Sequence, residues 1–473
     1  MKKNVCTMFF LLCTLFTATA EDFKTQGDGS TWTLSKLAAT EGTGVSADGN
    51  TFTLTNNVEI AEGDKFEIES GIKVLMGDNV RLTLSGEADF AAGERVLITA
   101  AGEEDNPYGI LVSNDKSVTR FSHIDFEYAG LKNFGIQGLE VHECTFKLHN
   151  AVSGTAALTL GTSGASFTVS DCTFEGCQRS AIGNAANYLN PVVIENCRFT
   201  GNGTKNMNAP QINLTVSENT IIRNNVIIGN PELNMVGGIV VSNLVGFTGA
   251  LNTTIEGNEI RNNRFGLATY CEQYAVISNN SIVGNKYEKN PNNGGSGINV
   301  YDPYKTQTAM ITGNYIEDNL WGITVIGGKD INIGKTEDKT AEDYNPGLNV
   351  FLNNGNSGVA YDLYNNSANT VYAQGNYWKS VEVQDEAHIE TVIFHQKDDA
   401  SLGEVIFMPA LTKEPTAIQD INGNENILKV EVYAVNGSKV TTQKDCNLST
   451  LRPGLYTLRI TTDKSTVTRK IIR

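Results

Sequence analysis

A short template recurs along the middle of the chain: Asn or Cys, any residue, a large apolar residue, two more residues, then Asn. Its first position is held by Ile124, Cys144, Cys172, Cys197, Asn225, Asn258, Asn280, Asn314, Asn349 and Asn376, on average 28 residues apart. Two places later stand Phe126, Phe146, Phe174, Phe199, Ile227, Ile260, Ile282, Ile316, Phe351 and Trp378, every one large and apolar. The last position carries Asn202, Asn230, Asn263, Asn285, Asn319 and Asn354, with His149 and Cys177 in earlier repeats. Self-similarity at such a period marks a solenoid, in which each repeat is one coil that buries its apolar face only against its neighbours. A third strand per coil opens on a glycine and an aliphatic residue: Gly238-Ile239, Gly266-Leu267, Gly297-Ile298, Gly322-Ile323 and Gly358-Val359. Coils of three short strands stacked at about 4.8 Å bring like residues into ladders. Rings and aliphatics then fill the core while Asn amides hydrogen-bond along the axis, which is what makes buried Asn tolerable. Insertions enter at the turns, and the longest, 286–296 and 335–346, are rich in charge, Asn and Gly, as surface excursions are.

The rest of the chain agrees. Val58-Glu59-Ile60, Phe66-Glu67-Ile68 and Val80-Arg81-Leu82 alternate apolar and polar residues as early, less regular coils would. Scarce Pro, 46 glycines and no long amphipathic helical pattern make the chain all-β. These early segments and the run from Asn225 to Asn376 resemble right-handed parallel β-helix proteins of the pectate-lyase-like superfold. That resemblance implies architecture and no particular chemistry, because the fold hosts lyases, hydrolases, adhesins and inert spikes. The expected organisation is a lead-in and cap over 21–50, the β-helix solenoid over 51–411, a polar linker over 412–427 and a small antiparallel β-sandwich over 428–473.

The two ends speak of export. Lys2 and Lys3, the apolar stretch from Val5 to Phe16 and Ala18-Thr19-Ala20 read as a signal peptide cleaved between Ala20 and Glu21. At the other end come Tyr433-x-x-Asn436-Gly437-x-x-Val440, Leu451-x-Pro453-Gly454-Leu455-Tyr456 and a basic Lys470-Ile471-Ile472-Arg473 terminus. These elements resemble the type A C-terminal sorting domain of type IX secretion cargo in Bacteroidetes. The resemblance implies a partner in the type IX machinery and a final location outside the cell or on its surface, reached through the periplasm. The family's usual Pro-Asn-Pro opening strand is missing. No later stretch is long and apolar enough for a spanning helix, and the formal charge of −17 with no basic patch argues against nucleic acid.

Function-bearing constellations are sparser. Cys144, Cys172 and Cys197 share a ladder position and are expected to stack as free thiols, since in-register parallel side chains seldom reach disulfide torsions. No paired short Cys spacing supports zinc, so no metal is assigned, and the acidic loop from Glu337 to Asp343 lacks a calcium pattern. His149 replaces a ladder Asn, and His388 and His395 lie among carboxylates in the final coil; a structural role is expected of all three. The strongest lead is positional: Tyr270-Cys271-Glu272, Tyr301-Asp302-Pro303-Tyr304-Lys305, Gly327-Gly328-Lys329-Asp330 and Tyr361-Asp362-Leu363-Tyr364 follow the third strand of consecutive coils. Stacked, they predict one stripe in which Tyr270, Tyr301, Tyr304, Tyr361 and Tyr364, with Asp330, bind a carbohydrate polymer. Aromatics take the apolar faces of sugar rings and polar groups take the hydroxyls. The same stripe would allow a polysaccharide lyase or glycoside hydrolase using Glu272, Asp302, Lys305, Lys329 or Asp362. A structural or adhesive surface protein without glycan activity is the third reading.

Overall fold

The structure, a computed structural model, describes residues 22–152, 156–162, 164–184, 189–215, 218–243, 245–247, 251–270, 274–304, 306–415, 427–434, 437–443, 451, 455–463 and 466–472. The signal segment with Ala20 and Glu21, Cys271, Glu272, Lys305 and Asn436 lie outside these. The solenoid is present as expected, and its strands form three parallel columns. One is a fourteen-stranded parallel sheet that runs from Phe23–Lys24 through Val58–Ile60, Ala156–Leu160 and Ile239–Ser242 to Ile393–Phe394. The other two columns are joined near their start by the long strands Glu87–Ala100 and Thr119–Glu127, each of which bends to serve both. The lead-in is itself part of the solenoid: Phe23–Lys24 pairs with Val58–Glu59, and Thr31–Trp32 with Lys65–Phe66. The short helix Leu34–Ala38, capped by Thr33, buries Leu34 and Leu37 over the open end of the core.

The predicted ladder is in register at all nine steps from Phe126 to Trp378. Phe126, Phe146, Phe174 and Phe199 stack with centroids 4.7, 4.8 and 4.9 Å apart and planes within 8°. That separation is the strand spacing itself, so backbone pairing and ring stacking satisfy one another. Cys144, Cys172, Cys177 and Cys197 are buried free thiols.

Both Asn ladders form. In the first, the Asn225 amide donates to Asn258 Oδ1 at 3.0 Å, and the chain of amides continues through Asn280, Asn314 and Asn349 to Asn376. The second departs from expectation at one rung. Asn230 is half-exposed, and Gln211 reaches into the vacant place, accepting from Asn202 Nδ2 and donating to Asn263 Oδ1, both at 2.9 Å. Asn263, Asn285, Asn319 and Asn354 then follow.

The turns have a backbone signature. The residue before each of the ten first-ladder positions has positive φ, from His123 (φ 59) and Glu143 (φ 49) to Asn279 (φ 55) and Gly375 (φ 67). Seven of those ten are Asn, Asp or Gly, the residues that enter the left-handed region at least cost. The tail beyond the linker is antiparallel, four strands around Val430, Val432, Leu458 and Ile460.

Candidate functional site

Over the last five coils the outer face of the fourteen-stranded sheet becomes aromatic. Strands alternate their side chains between core and solvent, so in Ser296–Asp302 Ile298 and Val300 point inward while Asn299 and Tyr301 point out. Register then builds columns along the axis. Tyr270, Tyr301 and Ile326 are successive partners, and beside them Ala268, Asn299, Thr324, Tyr364 and Phe394 form a second row. Trp321 opens the next strand, Trp321–Gly327, and its ring centroid lies 4.5 Å from that of Tyr361 and 5.3 Å from that of Tyr364. Phe394 meets Tyr364 edge-on at 5.2 Å, and Tyr270 meets Tyr301 edge-on at 5.4 Å.

The insertion after Asn285 supplies a wall. Its 3-10 turn, Pro291–Asn293, is capped by Asn290, and Trp321 Nε1 donates to Pro291 O at 2.9 Å, fixing ring and loop together. Arg264 holds the loop from below. Its guanidinium donates to Glu288 at 2.5 Å, to Asn208 Oδ1 at 2.6 Å and to Asn293 O at 2.8 Å, so each of its three nitrogens is engaged. The result is a cleft of about 510 Å³ floored by Asn299, Thr324, Tyr364 and Phe394 and flanked by Tyr270, Tyr301, Trp321 and Tyr361, with Asn292, Asn293, Ser296 and Asn366 on its margins. Its size is that of small-molecule and oligomer sites. Burial raises the pKa of the Tyr270 hydroxyl against the lowering effects of the Arg264 charge and of a hydrogen bond with Asn299.

Among the described residues that line the cleft there is no carboxylate, lysine, arginine or histidine. The predicted stripe is thus corrected in part. Tyr270, Tyr301, Tyr361 and Tyr364 lie together in the cleft, whereas Tyr304 is 67% exposed and outside it. Asp302 has the inward parity of Ile298 and Val300, is fully buried, and accepts from the backbone N–H groups of Tyr304, Thr306 and Gln307, so it staples the turn. Asp362 is displaced by the antiparallel ribbon of Gly355–Asn356 with Val359–Ala360, so that the third strand is Leu363–Asn365 and Val359 is not in it. Asp362 therefore precedes the strand, fully buried, and ends the second Asn ladder by accepting from Asn354 Nδ2 at 2.8 Å. Burial pushes its pKa up to about 6 against the lowering effect of Ser380 and Asn354. Lys329 and Asp330 are exposed where the chain leaves for another column, and they do not line the cleft.

The remaining candidates lie outside the cleft. His395, 2% exposed, accepts at Nδ1 from the Val405 N–H and donates from Nε2 to Glu390, both at 2.8 Å. His388 pairs with its helix cap Asp385. Burial pushes the pKa of His149 down to about 3, keeping it neutral. In the acidic loop, Asp343 pairs with Lys335 and Asp338 accepts from Thr340, and no metal-holding cluster exists among the described residues. Trp321, Asn299, Thr324 and Phe394 were not singled out in the sequence. Period-2 alternation from Gly297-Ile298 and Gly322-Ile323 would have put Asn299 and Thr324 on the face of Tyr301.

Comparison with known proteins agrees with this architecture. Residues 108–248 match the family described as right handed beta helix region, and residues 415–473 match the secretion system C-terminal sorting domain. No curated protein matches the chain in sequence. Among solved structures, the periplasmic alginate epimerase AlgG aligns at 13% identity with a TM-score of 0.36, covering 80% of this chain and 81% of that one. A point mutant of the same epimerase aligns at 13% identity with a TM-score of 0.37 over the same shares. The chain is a right-handed β-helix whose tail addresses it to the secretion machinery and hence to the cell surface or the extracellular space. No helix among the described residues is long and apolar enough to cross a membrane.

Proposed function

We propose that this exported right-handed β-helix protein binds extracellular carbohydrate polymers through the aromatic cleft on its C-terminal coils. The observation that carries the reading is the pairing of stacked, half-buried rings, Trp321, Tyr361 and Tyr364, with the amides of Asn299, Asn292 and Asn366 in the same cleft. Sugar rings present an apolar face and an equatorial edge of hydroxyls, and such a surface answers both. Binding is favoured over turnover because a glycosidase needs a carboxylate pair beside the scissile bond and a lyase needs a base. The described lining holds no carboxylate pair, and its ionisable side chains are tyrosines, of which burial raises the pKa of Tyr270 and Tyr364 and so disfavours the basic form; the two central carboxylates of the stripe, Asp302 and Asp362, are spent on the fold.

The test is to incubate the mature chain with a panel of plant, host and bacterial polysaccharides, recording retention on each polymer and release of reducing or unsaturated ends. Retention without new ends is expected. Release of ends would replace this reading with an enzymatic one, and absence of both would leave a structural or adhesive role.

A further inference from the structure

We propose that the occupant of the cleft is an uncharged glycan, a run of neutral sugar units laid along the solenoid axis and held without any ion pair. This inference rests on the carbohydrate-binding reading above and narrows it to one chemical class. Three features of the site argue for it.

The first is the absence, among the described lining residues, of a cation to receive an acid. Uronate and sulfate groups are recognised by Arg or Lys, which meet them with charge-assisted and often bidentate hydrogen bonds. The described lining has none. Among the described residues, Arg264 lies against the wall of the cleft and is already paired: its side chain is 12% exposed, it bonds Glu288, and two further donors go to Asn208 and Asn293. Lys329 is exposed but lies outside the cleft.

The second is the sign of the surrounding field. The chain carries a formal charge of −17, and a like-charged polymer approaching it would be repelled unless a local basic patch reversed the potential. A carboxylate also acts on the C-terminal end of the cleft. Burial, and after it the charge of Asp399, pushes up the pKa of the Tyr364 hydroxyl. An acid placed on Tyr364 would feel the same carboxylate.

The third is the kind of polar group supplied. Asn292, Asn293 and Asn366 carry side-chain amides, each with both a donor and an acceptor, while the Ser296 and Thr324 hydroxyls bond one another at 2.9 Å. That set matches sugar hydroxyls, which also donate and accept, and gives a carboxylate nothing that water does not. The direction follows from the register. Tyr301, Trp321, Tyr364 and Phe394 sit on successive coils, so five coils from Tyr270 to Phe394 span about 19 Å at the strand spacing. A ring or an amide recurs at every step, which suits an extended oligomer better than a single compact ligand.

The experiment is affinity electrophoresis of the mature full-length chain through gels holding one soluble polymer each: neutral xylan, glucomannan and mixed-linkage β-glucan, against polygalacturonate, alginate and a sulfated galactan. Each is run at about 0.01 M and about 1 M salt, which changes the screening length from about 30 to 3 Å. Retardation by at least one neutral polymer, changing less than about twofold between the two salts, with no retardation by the acidic polymers at either, is the expected result. Retardation by an acidic polymer that disappears at high salt would overturn the uncharged-glycan inference and leave the binding reading standing. No retardation by any polymer would sink both. Trp321→Ala run beside the wild type locates the effect: neutral-polymer retardation should fall at least tenfold in affinity, and retention equal to wild type would remove the cleft from the account.

Discussion

Replacing Asp362 by Asn separates a structural carboxylate from a catalytic one. Asp362 is fully buried at the end of the second Asn ladder, where Oδ1 accepts from Asn354 Nδ2, and burial lifts its pKa from 3.8 to about 6. A carboxyl whose pKa is raised by folding contributes stability that is fully present below its unfolded pKa and lost as pH rises through its folded one. Over that interval of about two pH units, at about 1.4 kcal/mol each, the wild type forfeits about 3 kcal/mol between roughly pH 4 and pH 6. An Asn there keeps the acceptor for Asn354 and has no proton to lose. D362N should therefore match the wild type at pH 4 and exceed it by about 3 kcal/mol at pH 8. Urea unfolding followed by far-ultraviolet circular dichroism at the two pH values measures this, with midpoints compared between variants because solenoid coils need not unfold together. A difference between the variants that is the same at both pH values, or a D362N protein less stable at pH 8, would refute the burial argument. Loss of glycan retention in a well-folded D362N would refute the placement of Asp362 outside the cleft.

Three other outcomes follow from the same geometry. Tyr364→Ala removes one ring of the cleft floor and should weaken glycan retention about tenfold, about 1.4 kcal/mol, with the pH 7 unfolding midpoint little changed. Asn285→Ala orphans Ile260 O and the Asn263 N–H in the buried ladder and should cost about 3 to 5 kcal/mol, read as a lowered urea midpoint. The buried thiols, among them Cys177 with its pKa pushed up to about 12 by burial, should resist an aromatic disulfide reagent in the native protein and react in denaturant.

Much of the fold was legible because a solenoid writes its geometry into the sequence as a period. Every rung from Phe126 to Trp378 is a strand-to-strand neighbour, so a spacing in the chain became a spacing in space. The left-handed turns were also written there, in Asp171, Asn196, Asn224 and Asn279 ahead of the ladder, though His123, Glu143 and Leu348 show the same conformation without the usual residue. What escaped was local. Gln211 takes the rung assigned to Asn230 because a long side chain from the neighbouring strand reaches the same point, and no spacing rule encodes reach. The ribbon at Gly355–Asn356 delays the third strand to Leu363, which carried Asp362 off the surface stripe and into the core. Asp302 was lost to the stripe by parity, a rule that was available in the sequence. The four tyrosines of the cleft survived because aromatic residues beside a β-helix strand can only cover its outer face when the inner one is already filled. Trp321 was missed because it begins a strand, and its role depends on a loop, Pro291–Asn293, that folds back over the sheet.

The most direct test of the cleft uses its own tryptophan. Of the three in the chain, Trp32 and Trp378 are 8% and 0% exposed in the core, while Trp321 is half-buried in the cleft wall. Acrylamide quenching of tryptophan emission should be dominated by Trp321, and a bound neutral oligosaccharide should protect it in a saturable way that is absent in Trp321→Phe. Saturable glycan binding that leaves the quenching of Trp321 unchanged would contradict the account.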